Sequence, residues 1–124
     1  MPNLMQRGAT WLAGKLQTAA GRTVVYRRGN LSGDPITAAC SMKQYSIVDA
    51  EGFATTVESV DWLVTTAELV VQGAIITPRP GDRIHEILGG VLVEYEAMKL
   101  GSEPCSEWLD TSGVMTVIHT KRIT

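Results

Sequence analysis

Cysteine is scarce in this sequence. Its two cysteines, Cys40 and Cys105, lie far apart and form no Cys-x-x-Cys pair, so neither a disulfide framework nor a zinc ribbon is indicated. We expect free thiols. Cys40 lies beside alanines and predicts a small buried side chain. Cys105 falls in a loop between Glu103 and Glu107, where we expect an exposed thiol that the neighbouring negative charges keep unreactive.

Long apolar runs and an excess of one charge are also missing. Runs such as Leu69–Val71 and Val91–Val93 are a few residues long, too short to span a bilayer. The first residues, Met1–Leu4, have no signal-peptide pattern, so we expect a protein inside a cell with no membrane partner. Eleven Lys and Arg against thirteen Asp and Glu give a net charge of −2, which argues against binding of nucleic acid by broad phosphate neutralisation.

Motifs for catalysis and metal binding are absent. The two histidines, His85 and His119, belong to no His-x-x-x-His or His-Glu-x-x-His pattern. There is no Gly-x-Ser-x-Gly elbow and no phosphate-binding glycine loop. Both histidines fall in predicted strands, so a cluster with Glu94 forms only if those strands pair. The sequence therefore predicts no enzyme, no cofactor and no metal site, and a metal-dependent enzyme is the weakest of three interpretations.

The N-terminal residues have the periodicity of an amphipathic helix. With 124 residues, of which 44% are apolar, the chain has the size of one packed domain, residues 1–124. Over residues 3–20 the apolar side chains recur every three or four positions, and Gly21 follows the last of them. Gly8 and Gly14 each weaken a helix by about 1 kcal/mol relative to alanine, so this helix depends on packing against a partner. Its apolar positions are Leu4, Met5, Ala9, Trp11, Leu12, Leu16 and Ala19.

From residue 22 to residue 124 the pattern changes to short strands separated by turn residues. Apolar residues alternate with polar ones, and glycine, proline, asparagine and aspartate interrupt the runs. This pattern predicts a mainly β body of about six or seven strands, a small antiparallel β-barrel or sandwich. We expect strands near residues 22–28, 36–41 continuing through 44–48, 53–64, 74–77, 83–88, 91–100 and 114–123.

Two loops and one helical turn complete the predicted body. The longest loops are residues 29–35 and 101–113, both rich in glycine, proline and polar residues. A hydroxyl residue ahead of Ala67–Leu69 predicts a single capped helical turn.

The hairpin around Gly89 and Gly90 is the most specific structural prediction. Two glycines accept the positive φ angles that a two-residue connection needs. Alternation places Val91, Val93, Tyr95 and Ala97 on the inner face, and it places Glu94 and Glu96 in solvent.

Basic residues support an alternative function. Arg22, Arg27 and Arg28, together with Arg79, Arg83 and the Lys121-Arg122 pair, favour a small nucleic-acid-binding barrel. Single-strand binders combine a basic groove with stacked aromatic side chains, and this chain has one Phe, three Tyr and three Trp, several of which the alternation places in the core. The same arginines suit a protein interface, where arginine is enriched.

The order of motifs resembles a known family. The motifs are the Tyr26-Arg27-Arg28-Gly29 strand end, the turn at Thr66–Val70, and Ile76–Ile84 with its Pro78-Arg79-Pro80-Gly81-Asp82 loop, followed by the glycine hairpin and Tyr95. Together with an N-terminal helix, they resemble the head-tail joining proteins of long-tailed bacteriophages and prophages, which are also called neck, head-completion or stopper proteins. In such a loop the aspartate accepts an Asx-type hydrogen bond and shapes a tight turn.

The resemblance implies a non-enzymatic virion protein that joins the portal to the tail. It implies partners among the portal or adaptor and tail proteins, self-association into a ring on assembly, passage of DNA through a lumen, and a location in the virion and, during assembly, in the host cytoplasm. Candidate assembly-interface residues are Leu4, Trp11, Leu12, Arg27, Arg28, Arg79 and Trp108.

The position of Trp11 and Leu12 outside the β pattern gives a first test. We expect Trp11→Ala combined with Leu12→Ser to leave the melting temperature of the isolated monomer within about 2 °C of the parent value, because surface substitutions change stability by only a few tenths of a kcal/mol. Differential scanning calorimetry measures this. A loss of several degrees would mean that the helix belongs to the core.

Overall fold

The computed structural model describes residues 21–123, which form ten β-strands and one 3-10 turn. The predicted helix at residues 3–20, with Leu4, Trp11 and Leu12, lies outside the described residues. Within residues 21–123 no helix is long and apolar enough to cross a membrane. The strands are β1 Gly21–Arg28, β2 Leu31–Ser32, β3 Ile36–Val48, β4 Ala54–Thr65, β5 Val70–Val71, β6 Ala74–Ile75, β7 Arg83–Leu88, β8 Val91–Ala97, β9 Ser106–Trp108 and β10 Met115–Arg122, and the 3-10 turn is Thr66–Glu68.

Six of these strands are six residues or longer and pair in a continuous series. The order is β1-β3-β4-β10-β8-β7, and every pair in it is antiparallel. In addition β1 pairs with β7, with Tyr26 opposite Ile84, so the pairings return to the first strand. The prediction of a mainly β, antiparallel body is confirmed. The short strand β2 pairs with β1, and the short strand β9 pairs with β10. The strands β5 and β6 pair with each other.

Because neighbouring strands alternate in direction, the strands run between two opposite ends of the body. One end, here called the arm end, holds the beginning of β1 at Gly21, the Gly89-Gly90 turn, and the long β3–β4 hairpin. We call residues 42–58 of that hairpin the arm, since most of its side chains are exposed. The other end, the loop end, holds the end of β1, the 3-10 turn and the beginnings of β7 and β10.

Large apolar side chains fill the space between the strands. Trp62 is fully buried and contacts Tyr95 edge-to-face, with ring centroids 5.1 Å apart and planes at 72°. Val60, Trp62 and Val64 share the inner face of β4, as alternation predicts. The other buried members of this core are Val24, Tyr26, Ala38, Leu69, Val71, Ile84, Val93, Ala97, Cys105 and Ile118.

The β7–β8 hairpin follows the sequence prediction except near its tip. Gly89 and Gly90 have φ angles of +57° and +82°, and the inward positions of β8 after Val91 are buried. Val91 itself is 62% exposed, so its predicted inward burial is wrong, because the tip extends past the core. Glu94, predicted to lie in solvent, is partly buried and accepts a hydrogen bond of 2.9 Å from Arg83.

Two loop predictions are also corrected. The 101–113 segment contains β9, which pairs with β10, and the 29–35 segment contains β2.

Cys105 is buried rather than exposed, because its carbonyl accepts a 2.7 Å hydrogen bond from the His119 amide, which holds the segment against β10. Cys40, expected to be buried, is only partly so. Burial raises the pKa of both thiols, which keeps them protonated.

The helical turn at residues 66–68 forms without the expected cap. The side chain of Thr65 makes no capping hydrogen bond. The Thr66 hydroxyl instead contacts the Thr116 hydroxyl at 2.8 Å, which ties the turn to β10.

Candidate assembly surfaces

The carboxylate of Asp82 organises the loop end. Asp82 directly precedes β7 and is buried. It accepts a hydrogen bond from the Arg79 amide at 2.9 Å, which is the Asx-type bond expected of this loop. Arg28 donates to it from Nε at 3.1 Å and from Nη2 at 2.8 Å, and the Tyr26 hydroxyl donates a further, short hydrogen bond. Four donor groups, three from β1 and one from the loop before β7, therefore converge on one side chain.

Backbone hydrogen bonds hold the same loop on its other side. The Gly81 amide donates to the Ala97 carbonyl at 2.9 Å, and the Ala97 amide donates to the Asp82 carbonyl at 2.8 Å. Arg28 Nη2 also donates to the Thr77 carbonyl at 2.6 Å. The loop from Thr77 to Asp82 is thus attached to both β1 and β8, and these bonds hold the backbone that carries the exposed Arg79 side chain.

The charges in this cluster stabilise one another. Burial alone raises the pKa of Asp82, but hydrogen bonds from Arg28, Tyr26 and the Arg79 amide outweigh it, so its pKa lies below the ordinary value. The hydrogen bond to Asp82 raises the pKa of Arg28, while burial and the same carboxylate raise the pKa of Tyr26. Asp82 is therefore ionised at neutral pH, and the ion pair with Arg28 is complete.

The structure brings four of the predicted interface residues to the loop end. Arg27 and Arg28 end β1, Arg79 lies in the Asp82 loop, and Trp108 pairs through β9 with Thr116 near the beginning of β10. Arg79 and Trp108 are exposed, and Arg27 is partly buried. The Arg28 side chain is only 23% exposed and is engaged by Asp82.

A cleft beside Trp108 gives the loop end a partly apolar surface. The cleft has a volume of about 260 Å³ and is lined by Ile76, Pro78 and Trp108 among other residues. The Trp108 side chain is 62% exposed. A Cβ on Gly113, whose φ is +70°, would lie 2.8 Å from the indole ring, so only glycine lets the turn approach the ring this closely. An exposed tryptophan at the rim of a cleft is a typical anchor of a protein interface.

The turn after Trp108 has an acidic residue at its centre that the sequence analysis missed. Asp110 accepts hydrogen bonds from the amides of Ser112, Val114 and Met115 at 3.1 to 3.3 Å, and these bonds hold its pKa below the ordinary value against the effect of desolvation. The sequence signal for this turn is Asp110-Thr111-Ser112-Gly113, which is typical of an Asx turn.

A second buried aspartate lies on the face of β4 opposite Trp62. Asp61 accepts hydrogen bonds from the Ser59 hydroxyl at 2.6 Å and from the Tyr45 hydroxyl, and its Oδ1 lies 2.9 Å from Nδ1 of His119. Burial alone raises the pKa of Asp61, but these contacts lower it overall. Ser59 and His119 both contact the carboxylate and not each other, so the arrangement differs from a nucleophile–base–acid series.

The cluster of His85, His119 and Glu94 considered from the sequence does not form. Nε2 of His85 lies 3.5 Å from the Glu94 carboxylate, while His119 contacts Asp61. Across residues 21–123 no three His, Cys, Asp or Glu side chains are grouped so as to hold a metal ion.

Comparison with protein-family models gives a match over nearly the whole chain. A family model described as "Phage head-tail joining protein" matches residues 2–124. A search of curated proteins finds no match to this chain.

The convergence of donors on Asp82 predicts a large loss of stability when the carboxylate is removed. We expect Asp82→Ala to lower the free energy of unfolding by about 3 kcal/mol, because it leaves Arg28 and Tyr26 without their buried acceptor. Urea unfolding followed by circular dichroism measures the change. The matched control is Asp34→Ala at an exposed position, with an expected change within about 0.5 kcal/mol. Equal losses for the two variants would contradict the role assigned to Asp82.

The lowered pKa of Asp82 predicts the pH range in which this stability is lost. The pKa of Asp82 is lower in the folded state than in the unfolded state, where it is about 3.9. The ionised carboxylate therefore stabilises the fold fully above that unfolded-state pKa, and this stabilisation is lost as the pH falls through the folded-state pKa. The difference in melting temperature between the parent protein and Asp82→Asn should therefore be constant from pH 7 to about 5 and shrink below about pH 4. A difference that stays constant down to pH 2.5 would contradict the assigned ionisation.

Proposed function

Because this chain belongs to the family of phage head-tail joining proteins, we propose that it is a non-enzymatic adaptor between the portal side of a filled head and the tail. The observation that carries the proposal is the family match over residues 2–124. The arrangement of the strands supports it, since an adaptor needs two separate contact surfaces and the strands connect two opposite ends.

The loop end is the first proposed contact surface. Arg79 and Trp108 are exposed there, and the hydrogen bonds to Asp82 and Asp110 hold the segments that carry them. Arginine and tryptophan are the residue types most enriched among the energetically important residues of interfaces. A surface held rigid before binding loses little conformational entropy on docking.

The arm end is the second proposed contact surface. The tip of the arm presents Val48 and Phe53, each 69% exposed. Gly21, which follows the candidate interface residues Leu4, Trp11 and Leu12 in the sequence, lies at this end. Exposed apolar side chains grouped at one end favour a protein partner.

Assembly into a ring follows from the proposed position next to a portal. Copies around a symmetry axis make heterologous contacts, in which two different surfaces of neighbouring copies meet. We interpret the closed series of strand pairs as a small barrel whose interior Trp62, Tyr95 and the other core residues fill. DNA would then pass through the lumen of the ring and not through a single barrel. The protein would reside in the virion after assembly in the host cytoplasm.

The nucleic-acid-binding alternative is less favourable because much of the positive charge is already paired. Arg22 lies 3.4 Å from Glu86, Arg28 lies 2.8 Å from Asp82, and Arg83 lies 2.9 Å from Glu94. An arginine that is held by a carboxylate contributes little to counterion release from DNA.

A genetic experiment tests the adaptor function. We expect that deleting the coding gene from the phage or prophage that carries it leaves filled heads and separate tails in electron micrographs of lysates, and that the parent chain restores joined particles. Tailed particles at parental frequency after deletion would overturn the proposal.

The loop-end surface has its own variant in this assay. We expect Trp108→Ala to leave the purified protein folded, since its ring is largely exposed, and to reduce the yield of joined particles about tenfold or more, as loss of an interface anchor of 2 kcal/mol does. Thr111→Ala, at an exposed position in the adjacent turn, is the matched control with no expected loss. Parental yields with Trp108→Ala would remove Trp108 from the interface.

A further inference from the structure

A groove on the outer face of β1, β7 and β8 combines apolar and basic side chains. Its volume is about 430 Å³, and its apolar lining includes Val25, Pro35, Ile87 and Leu92. Ile87 and Leu92 lie directly opposite each other in the β7–β8 register and are 64% and 46% exposed. An exposed apolar patch with polar residues around it is typical of a protein interface.

The groove also contains a buried arginine nitrogen, Nε of Arg27, which has no hydrogen-bond partner among the described residues. Arg27 lines both this groove and a charged depression of about 410 Å³ beside it. Arg83 lines the depression too, but it is already paired with Glu94 at 2.9 Å. A buried donor without an acceptor is uncommon in a folded protein. This surface therefore fits an occupant that brings a carboxylate, which forms strong, charge-assisted hydrogen bonds with arginine.

The tip of the arm carries a carboxylate of this kind between exposed apolar side chains. Asp49 shapes the tip, since its Oδ1 accepts hydrogen bonds from the amides of Glu51 and Phe53 at 3.0 and 2.8 Å. Val48 and Phe53 are largely exposed and lie on either side of Glu51 in the sequence, and Glu51 is exposed as well. The tip therefore presents one acidic and two apolar side chains, which are complementary to Arg27 and to the apolar lining of the groove.

The order of the strands places the arm and the groove on different sides of the body. In the closed series β1-β3-β4-β10-β8-β7 the arm belongs to β3 and β4, whereas the groove is centred on β7. Strand β1 separates the two in one direction, and β10 and β8 separate them in the other. The arm extends about 20 Å past Val60, the last residue of β4 that pairs with β10, because a strand rises about 3.3 Å per residue. This position and this length favour contact of the tip with a second copy over contact with its own groove.

We infer that the tip of the arm, residues 48–53, packs in the groove of the neighbouring copy in the ring, with the Glu51 carboxylate paired to the Arg27 guanidinium. The inference rests on the proposed adaptor function and names the contact between its copies. Because the two surfaces differ, the contact is heterologous, and its repetition around a symmetry axis gives a ring. The rest of the arm end, including the exposed Met42, remains available to the partner across the joint.

Reversal of the two charges tests the inference. By native mass spectrometry across a concentration series, we expect Glu51→Arg and Arg27→Glu each to weaken self-association about tenfold or more, because each brings two like charges together. Mixing these two variants, or combining both changes in one chain, should restore association, because every arm then meets a groove of opposite charge. The matched control is Glu58→Arg, the same change at another exposed position of the arm, which should leave association near the parental value. Unchanged circular dichroism spectra and melting temperatures would show that the variants remain folded.

Disulfide trapping gives an independent measurement that leaves Arg27 and Glu51 in place. One protein carries Phe53→Cys, and an isotope-labelled protein carries Ile87→Cys. After mixing and mild oxidation, we expect a linked heterodimer in intact mass spectra, and peptide mapping should place the disulfide between positions 53 and 87. Replacing Ile87→Cys by Leu109→Cys, which alters an exposed apolar residue at the loop end, should abolish the heterodimer.

Three results would overturn the inference. The first is association that Arg27→Glu weakens and Glu51→Arg does not, which would give the groove a different acidic occupant. The second is a disulfide within one chain when Phe53→Cys and Ile87→Cys are combined in a dilute sample, which would place the tip in its own groove. The third is a monomer at every concentration with no cross-link.

The gene-deletion experiment separates this inference from the proposed function. Separate heads and tails after deletion, together with a parental yield of joined particles for Glu51→Arg, would leave the adaptor function standing and refute the contact between tip and groove.

Discussion

The ion pair between Asp82 and Arg28 is the interaction on which the loop end depends. The Asp82 carboxylate is buried, so its ionisation is favourable only because Arg28, Tyr26 and the Arg79 amide all donate hydrogen bonds to it. The same contacts connect the end of β1 to the beginning of β7. The ion pair therefore helps to join the first strand to the hairpin that closes the series of strand pairs, and it also fixes the loop that presents Arg79.

Buried carboxylates at three places stabilise this small body and also help to specify one register of its strands. Asp61 connects β3, β4 and β10 through Tyr45, Ser59 and His119. Glu86, also buried, accepts from Tyr95 at 3.3 Å and from Arg22 at 3.4 Å. Each carboxylate is satisfied only in one register, since a slip of one residue would turn its partners to the opposite face. The strands that connect the two ends are consequently held in one register, which the proposed adaptor role requires.

Local patterns predicted most of the strands but not the contacts of the polar residues. Alternation and glycine turns define β1, β3, β4 and the β7–β8 hairpin because both depend on residues close in sequence. The same alternation predicted that Val91 faces inward, and this prediction is wrong because alternation carries no information on where the core ends. Cys105 and β9 were assigned to a loop because β9 is three residues long, too short to establish a period, and only pairing with β10 stabilises it.

By itself the sequence determined that the described chain is mainly β and where its principal turns fall, because backbone preference and side-chain alternation are local properties. Its motifs also showed which family the chain resembles. Tertiary structure alone decided which polar side chains meet. Tyr26 and Arg28 contact Asp82 across 56 and 54 residues, and His119 contacts Asp61 across 58. Such pairs arise only when the strands close on one another and exclude water, since that exclusion makes an unpaired buried charge prohibitive and a paired one stable.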